Sequence, residues 1–200
     1  MLDPNSAQTE YISETFVDEQ LAGKKLSYIE FDSCVFKECD FNSAIFDHCK
    51  FIDCEFIRCN LSVVKLNASR FMDVMFRESK IIGVDWTRVA WSNLQLASPI
   101  AFEQCVLSDS SFLGLYLSEL TMEDCKVNDV DFREGDFHES DFNGSDLTNS
   151  LFDGANLNGA HFENAENYYI DVNNTRIKKA TFSRIEAVSL LESLDIVLVD

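Results

Sequence analysis

Residues 31–59 read FDSCVFKECDFNSAIFDHCKFIDCEFIRC, with phenylalanine at every fifth position. Large apolar residues continue at this spacing from Tyr11 to Leu96. One added residue before Phe102 then shifts the series, which runs on to Phe162. Sixteen of the 17 phenylalanines lie on these 31 positions, and Phe182 keeps the second phase. The chain is therefore an internal repeat with a period of five residues.

The residue two places before each large one is mostly small. All seven cysteines occupy this phase, and serine and alanine take it over in the second half of the chain. The positions between are mostly polar or charged. One repeat thus consists of a small residue, a polar residue, a large apolar residue and two further polar residues.

A period of five residues excludes both regular secondary structures. Five residues rotate an α-helix by about 140°, so the apolar stripe would wind around every side of the helix. Side chains of a strand alternate in direction, so a spacing of five would reverse the face at each repeat. The chain must therefore turn once per repeat, which gives the large residues a shared interior. This pattern predicts a solenoid whose units bury their apolar faces only against neighbouring units.

The repeats resemble those of the pentapeptide repeat proteins. Residues 140–144 (SDFNG), 145–149 (SDLTN) and 155–159 (ANLNG) match that motif closely. The resemblance covers residues 11–182 and implies an all-β fold, a right-handed quadrilateral β-helix with four repeats per coil. Each coil would then advance the axis by about 4.8 Å, which makes a rod on the order of 40 Å long.

The repeat pattern divides the chain into five sections. Residues 1–28 are expected to form an N-terminal cap with the first irregular repeats, because Glu14, Glu19 and Lys24 occupy the small-residue phase and charges are costly to bury. The first solenoid section covers 29–96, a one-residue register shift or kink covers 97–101, and the second, acidic section covers 102–182. Residues 183–200 are expected to form a short C-terminal helix and strand.

Acidic side chains outnumber basic ones by 35 to 16, which gives a formal net charge of −19. Such a surface argues against direct binding of nucleic acid or of an anionic membrane. The excess is uneven, since residues 101–165 hold 14 acidic and 2 basic side chains. On three coils this makes about one net negative charge per 1.3 Å of rod, against about 1.7 Å for duplex DNA. The second section is therefore predicted to present the charge density of a nucleic acid to a DNA-binding protein.

The candidate binding surface consists of acidic side chains that the coil stacks or aligns along the rod. Like charges opposite one another on neighbouring strands are destabilising, so we expect that the fold does not require them. The alternative is that they serve solubility alone. The predicted surface comprises Asp109, Glu119, Asp129, Asp131, Glu134, Asp136, Glu139, Asp141, Asp146, Asp153 and Glu163.

Nothing in the sequence supports catalysis or metal binding. It has no CxxC pair, no glycine-rich phosphate loop and no nucleophile motif. His48, His138 and His161 fall on outward phases, far apart. The cysteines face inward in parallel rows, a poor geometry for disulfides, and are expected to be buried and reduced. With no secretion signal or membrane-spanning run apparent, we expect a cytoplasmic protein without enzyme activity, metal or cofactor.

The segment 183–200 differs from the repeats. Ser183 and Glu186 have the spacing of a helix capping box, and a short helix would be followed by an apolar strand over 196–199. This segment either caps a monomer or joins two chains. We favour a homodimer, because an exposed apolar strand invites pairing. The predicted interface comprises Ile185, Val188, Leu191, Leu194, Ile196 and Leu198.

The same segment is similar to the ending of the topoisomerase-protecting branch of the family, which includes quinolone-resistance, albicidin-resistance and microcin B17 immunity proteins. The similarity lies in 186–187 (EA), 189–191 (SLL), 194–196 (LDI) and the mid-chain stretch 83–86 (GVDW), and it is nearest to the albicidin-resistance type. It implies a dimeric DNA mimic that binds DNA gyrase, with topoisomerase IV as a second candidate, and relieves poisoning by inhibitors. Many quinolone-resistance members carry a long projecting loop, whereas this sequence suggests a single added residue near Pro99. The alternative function is a structural or adaptor solenoid for a different protein partner.

Overall fold

Each repeat forms one side of a coil, and each side pairs with the side 20 residues further along the chain. Phe31 lies opposite Phe51, and Phe36 lies opposite Phe56. The computed structural model describes residues 2, 7–92, 98–194 and 196–197. Within these residues every strand pair is parallel. The prediction of an all-β helix with four repeats per coil is confirmed.

The strands are short because each side holds a single repeat. They are β1 (Glu10–Ile12), β2 (Thr15–Val17), β3 (Lys25–Ser27), β4 (Glu30–Asp32), β5 (Val35–Lys37), β6 (Ile45–Asp47), β7 (Lys50–Ile52), β8 (Glu55–Ile57), β9 (Arg70–Met72), β10 (Val74–Arg77), β11 (Ile100–Glu103), β12 (Thr121–Glu123), β13 (His161–Phe162) and β14 (Thr181–Phe182). Many other sides pair through isolated parallel bridges. Two 3-10 helices, η1 (Trp86–Arg88) and η2 (Glu186–Leu194), interrupt and end the coil.

A left-handed backbone conformation closes each repeat. The residue two places after the large one has a positive φ, for example 55° at Ser33 and 56° at Asp129. Six glycines share this phase and conformation: Gly23, Gly83, Gly114, Gly144, Gly154 and Gly159. Non-glycine residues rarely adopt a positive φ, so its recurrence at corner after corner is the structural origin of the five-residue period.

The large residues form columns of stacked rings inside the coil. Phe31 lies between Tyr11 and Phe51, with ring centroids 5.4 and 5.2 Å apart, and the Phe36 and Phe56 rings are 4.6 Å apart. Near-parallel rings at these distances attract one another beyond the area they bury. Sixteen phenylalanines are buried and the seventeenth packs against the core. The prediction that phenylalanine forms the axis is confirmed.

The small residues beside the rings connect successive coils. The seven cysteines are free and buried, as predicted. The Cys54 Sγ lies 3.3 Å from the carbonyl oxygen of Phe31 in the preceding coil. A serine makes two bonds there: the Ser145 hydroxyl donates to the Met122 carbonyl at 2.7 Å and accepts the Cys125 N–H at 2.9 Å. This phase therefore favours small residues that also satisfy buried backbone groups.

The interruption of the coil is larger than predicted. The Phe102 ring stacks on the Phe76 ring at 5.1 Å, and β10 pairs with β11. The spacing across this coil is therefore 26 residues, six more than a coil needs. The expected one-residue shift at 97–101 is wrong, because Ile100 and Ala101 already belong to β11. The excess lies between Ala90, whose N–H still bonds to Ser69 one coil earlier, and Ile100.

The residue Leu96, which the sequence pattern placed on the core phase, lies outside the described residues. Its place in the column above Phe76 is taken by Phe102. Relative to a regular coil of 20 residues, this coil therefore contains one full repeat plus one residue more. The sequence had suggested a single added residue and no long insertion, which is wrong.

The two ends of the solenoid also differ from expectation. Residues 10–27 pair in register with the next coil, so the first repeats are regular rather than irregular. At the C-terminal end, the Ser183 hydroxyl accepts the N–H of Asn164 at 2.7 Å, so it does not act as the predicted N-cap. The predicted helix is the 3-10 helix η2. Ile196 and Val197 form no strand, and Leu198 lies outside the described residues.

Candidate protein-binding surface

Charged side chains of the first solenoid section form rows of alternating charge along the rod. The Lys50 Nζ lies 2.7 Å from the Glu30 carboxylate. Arg58 lies between Glu38 and Glu78, with nitrogen–oxygen distances of 2.8 and 4.0 Å. The members of each row come from successive coils, so each basic side chain in these rows lies one strand spacing from an acidic one.

The second section lacks such rows. Among the described residues beyond 103, only Arg133 and Asp131 pair a lysine or arginine with a carboxylate, at 2.8 Å. Two corner rows carry like charges instead, since Glu139 follows Glu119 after one coil and Asp129 follows Asp109. These carboxylates lie about 4.8 Å apart along the axis per coil, and their charge is uncompensated.

The predicted acidic residues are distributed around the whole rod. We name the sides by their large residues: side A contains Phe137, side B Phe142, side C Leu147 and side D Phe152. The register places three predicted residues on side A (Glu119, Asp136, Glu139), two on side B (Asp141, Glu163), three on side C (Asp109, Asp129, Asp146) and three on side D (Asp131, Glu134, Asp153). A flat partner surface cannot contact all of them, whereas a cleft that surrounds the rod can.

Side B with its two edges is the most acidic surface of the described chain between 119 and 164. It carries six carboxylates and no lysine or arginine: Glu119, Glu123, Asp124, Glu139, Asp141 and Glu163. We call this set the acidic side. Sequence reasoning missed Glu123 and Asp124, although a 20-residue spacing already aligned Glu103, Glu123 and Glu163 in one row.

Four of the predicted carboxylates also have a local structural role. Asp131, Asp136, Asp141 and Asp146 each accept the N–H of the residue two places later, at 2.9–3.2 Å. Asn156 makes the same contact to the Asn158 N–H at 3.3 Å. The same turn also forms after Lys126 and Leu151, so this hydrogen bond supports the turn without being required for it.

Hydrogen bonds lower the pKa of two of these carboxylates. Burial alone raises the pKa of Asp146, but donors from Thr148, Asn167 and Asn128 outweigh it and lower the value to about 2. The Arg133 guanidinium lowers the pKa of Asp131. Both groups are therefore ionised across the physiological pH range.

No group of three or more His, Cys, Asp or Glu in the described residues is arranged to hold a metal. No helix in the described ranges has both the length and the apolar character needed to cross a lipid bilayer. The three histidines lie on separate sides of the rod, with His48 stacked on Tyr28 at 4.9 Å.

The C-terminal segment exposes apolar side chains. Ile185 is 83% exposed, and η2 contains no buried residue. Leu190 packs against the core and anchors the segment. The structure places five of the six predicted interface residues on this exposed segment, Ile185, Val188, Leu191, Leu194 and Ile196. Leu198 lies outside the described residues. Contiguous exposed apolar side chains are typical of a surface that meets another protein.

Comparisons with known proteins place the fold. No curated protein matches the chain. Among solved structures, QnrB1, a plasmid-mediated fluoroquinolone resistance protein, is 18% identical over 94% of this chain and 100% of its own, with a TM-score of 0.46. HetL from Nostoc sp. strain PCC 7120, a pentapeptide repeat protein involved in heterocyst differentiation regulation, is 16% identical over 88% of each chain, with a TM-score of 0.45.

The family described as the pentapeptide repeat region matches residues 29–98 and 84–162, which together span more than half of the chain. Most of the coils, ring columns and left-handed corners described above fall within this range. This chain belongs to the pentapeptide repeat family.

Proposed function

We propose that this protein is a DNA mimic that binds bacterial DNA gyrase in the cytoplasm and protects it from an inhibitor, with topoisomerase IV as a second target. It acts by binding and not by catalysis. The observation that carries this proposal is the stack of uncompensated carboxylates in the second section, above all the acidic side.

The contrast between the two sections supports a binding role for the charge. Both sections use the same repeat, but the first contains rows of ion pairs such as Glu38, Arg58 and Glu78, whereas the described second section contains one lysine or arginine ion pair, Arg133 with Asp131. Solubility requires charged residues but not like charges in register, which lower stability. The second section therefore accepts a cost in stability, which we attribute to a partner with a positively charged cleft.

The choice of gyrase rests on the resemblance of residues 83–86 and 186–196 to the topoisomerase-protecting branch. A protein that holds duplex DNA contacts it from several sides, and the acidic residues here lie on all four sides of the rod. The albicidin-resistance, quinolone-resistance and microcin-immunity types would differ in the inhibitor they counter.

The protein is proposed to act as a homodimer joined through the C-terminal segment. The exposed apolar side chains of Ile185, Leu191 and Leu194 supply a surface that two chains bury end to end. The acidic sections adjoin this end, so dimerisation doubles the length of the acidic rod without interrupting it.

A supercoiling assay tests the proposal. Purified protein should inhibit gyrase supercoiling at high concentration and restore it in the presence of a fluoroquinolone, albicidin or microcin B17, with both effects falling steeply as salt is added. A variant that neutralises four residues of the acidic side should lose both effects: Glu123→Gln, Asp124→Asn, Glu139→Gln and Glu163→Gln.

The matched control neutralises four exposed acids that precede the second section: Glu10→Gln, Asp18→Asn, Asp53→Asn and Asp73→Asn. This variant has the same net charge as the acidic-side variant and should retain activity. If both variants act alike, or if the unmodified protein neither inhibits nor protects gyrase, the proposal is wrong and the adaptor function takes its place.

A further inference from the structure

Side A carries a groove that adjoins the acidic side. Two adjoining cavities of about 450 and 430 Å³ share Asp136 and His138 as lining residues. The first cavity is bounded by aromatic side chains from earlier coils, and the second by lysines from a later coil. Together they form one groove parallel to the rod axis.

The aromatic end of the groove consists of Trp91 and Tyr116. The Trp91 indole N–H donates to the Trp86 carbonyl at 3.0 Å, which fixes the orientation of a half-buried ring. Tyr116 is 77% exposed, and its ring stacks on no other ring among the described residues. An exposed tyrosine beside an oriented tryptophan is a surface on which another aromatic ring can pack.

The middle of the groove is held rigid by hydrogen bonds. The His138 Nδ1 lies 2.7 Å from the Asp136 carboxylate, which also accepts the Asn156 amide at 2.9 Å. These contacts fix the imidazole and leave its Nε2 edge free to bond to a polar group of a ligand.

The other end of the groove is lined by Lys178 and Lys179 together with Glu139 of the acidic side. Lys178 and Lys179 are exposed, and neither forms an ion pair with a carboxylate of the described chain. By contrast, Lys25 and Lys50 of the first section each hold an acid at 2.7 Å. Two adjacent lysines that form no ion pair within the described residues can together hold an anionic group.

We propose that this groove binds an extended peptide end that has an aromatic side chain and a terminal carboxylate about 14 Å apart, the rise of three coils. The ring packs on Trp91 and Tyr116, a backbone amide contacts His138, and the carboxylate lies between Lys178 and Lys179. An extended chain spans about 3.3 Å per residue, so the aromatic residue is the fourth before the C-terminal residue. This site adjoins the acidic side, because Glu139 belongs to both.

Proton NMR of the histidine rings provides the test, because the chain has only three histidines. The probe is acetyl-Phe-Gly-Ser-Gly-Ser with a free carboxylate, compared with the same peptide as its C-terminal amide. The His138 signal should shift saturably, while His48 and His161 stay unchanged as internal controls. The amide should bind about fivefold more weakly, since exposed ion pairs contribute modestly.

Substitutions assign the two ends of the groove. The double variant Lys178→Gln/Lys179→Gln should bind acid and amide equally, and Tyr116→Ala should weaken both peptides alike. Lys126→Gln on side C is the matched control and should leave binding unchanged. An unmoved His138 signal, equal shifts of all three histidines, or an undiminished preference for the acid in the double variant would each overturn the proposal.

Discussion

Val63 is a β-branched residue in a conformation that suits glycine. Its φ is 50°, and the corner one coil later is Gly83, where an added Cβ would lie 3.1 Å from the Val63 Cγ1. A left-handed conformation costs an ordinary residue about 1–2 kcal/mol, while glycine returns part of this through its freedom in the unfolded chain. Val63→Gly should therefore raise the free energy of unfolding by about 0.5–1 kcal/mol in a denaturant titration.

The matched control for this substitution is Val17→Gly. Val17 is similarly exposed but lies in strand β2 and is not among the residues with a positive φ. Glycine in place of this strand residue should lower the free energy of unfolding. Equal effects at both positions would show that corner strain does not limit the stability of this fold.

Asp146 should make stability depend on pH. Its pKa of about 2 lies below the ordinary value of 3.8, so it stabilises the folded state above pH 4, and this contribution is lost as the pH falls towards 2. Asp146→Ala should cost about 1 kcal/mol or less at pH 7, because the carboxylate is only partly buried and solvent screens its interactions. The difference from the unmodified protein should vanish near pH 2 in thermal melts.

The cysteines should be unreactive in the folded protein. Burial raises the pKa of Cys54 to about 12, so at pH 8 this thiol is protonated as well as inaccessible. Iodoacetamide at pH 8 should modify none of the seven cysteines in native protein and all seven in guanidinium chloride, as counted by mass spectrometry. Rapid labelling of the native protein would mean that the coils open at their cysteine columns.

At the scale of the repeat, substitutions in the charged rows should show whether the acidic side chains contribute to stability or to binding. Glu139→Lys places a base one coil above Glu119 and should stabilise the fold by about 0.5 kcal/mol while weakening gyrase inhibition. Arg58→Glu in the first section places three acids in one row and should destabilise by a similar amount. Thermal melts and supercoiling assays of the two variants separate the effects. A destabilised Glu139→Lys variant would show that the acidic row is needed by the fold.

The period of five was enough to predict the repeating elements but not how each repeat closes. The axial residues follow from packing, since only large apolar side chains fill the interior. The left-handed corners went unrecognised because most of them are Asp, Glu, Ser or Asn, and only the shared phase of the six glycines signals them. Likewise, the Ser183 spacing suggested an N-cap, but the hydroxyl bonds to a neighbouring coil that local sequence does not reveal.

The interruption shows a limit of periodic patterns. Leu96 falls on the five-residue spacing, so the sequence pattern is the same whether this repeat forms a side of the coil or is an insertion. The stacking of Phe102 on Phe76 decides between these alternatives, and it depends on the fit of whole coils. Charge counting predicted that the second section is acidic, whereas the division of its carboxylates among the sides, and thus Glu123 and Asp124, required the register between coils.

At the scale of the whole molecule, the two ends of the rod differ in charge and in exposed apolar surface. Its first section is neutralised by ion-pair rows, its second section is acidic, and its C-terminal end is apolar with Lys178 and Lys179 nearby on side A. The acidic half of the rod adjoins its apolar end, and the half with paired charges lies at the other end. Two chains that pair through their apolar ends would therefore bring their acidic halves together. The charge repulsion between them would oppose pairing, so the apolar end must supply the attraction.

Sedimentation equilibrium tests this pairing. The unmodified protein should have twice the chain mass of 22.8 kDa, and added salt should tighten the dimer by screening the acidic halves. Ile185→Glu and Leu191→Glu should each give folded monomers, because both side chains are exposed and neither supports the core. The control Ile12→Glu, an exposed apolar residue at the opposite end, should remain dimeric. An unmodified protein of monomer mass at every concentration would refute the seam, and a variant that keeps the dimer mass would move it away from this face of η2.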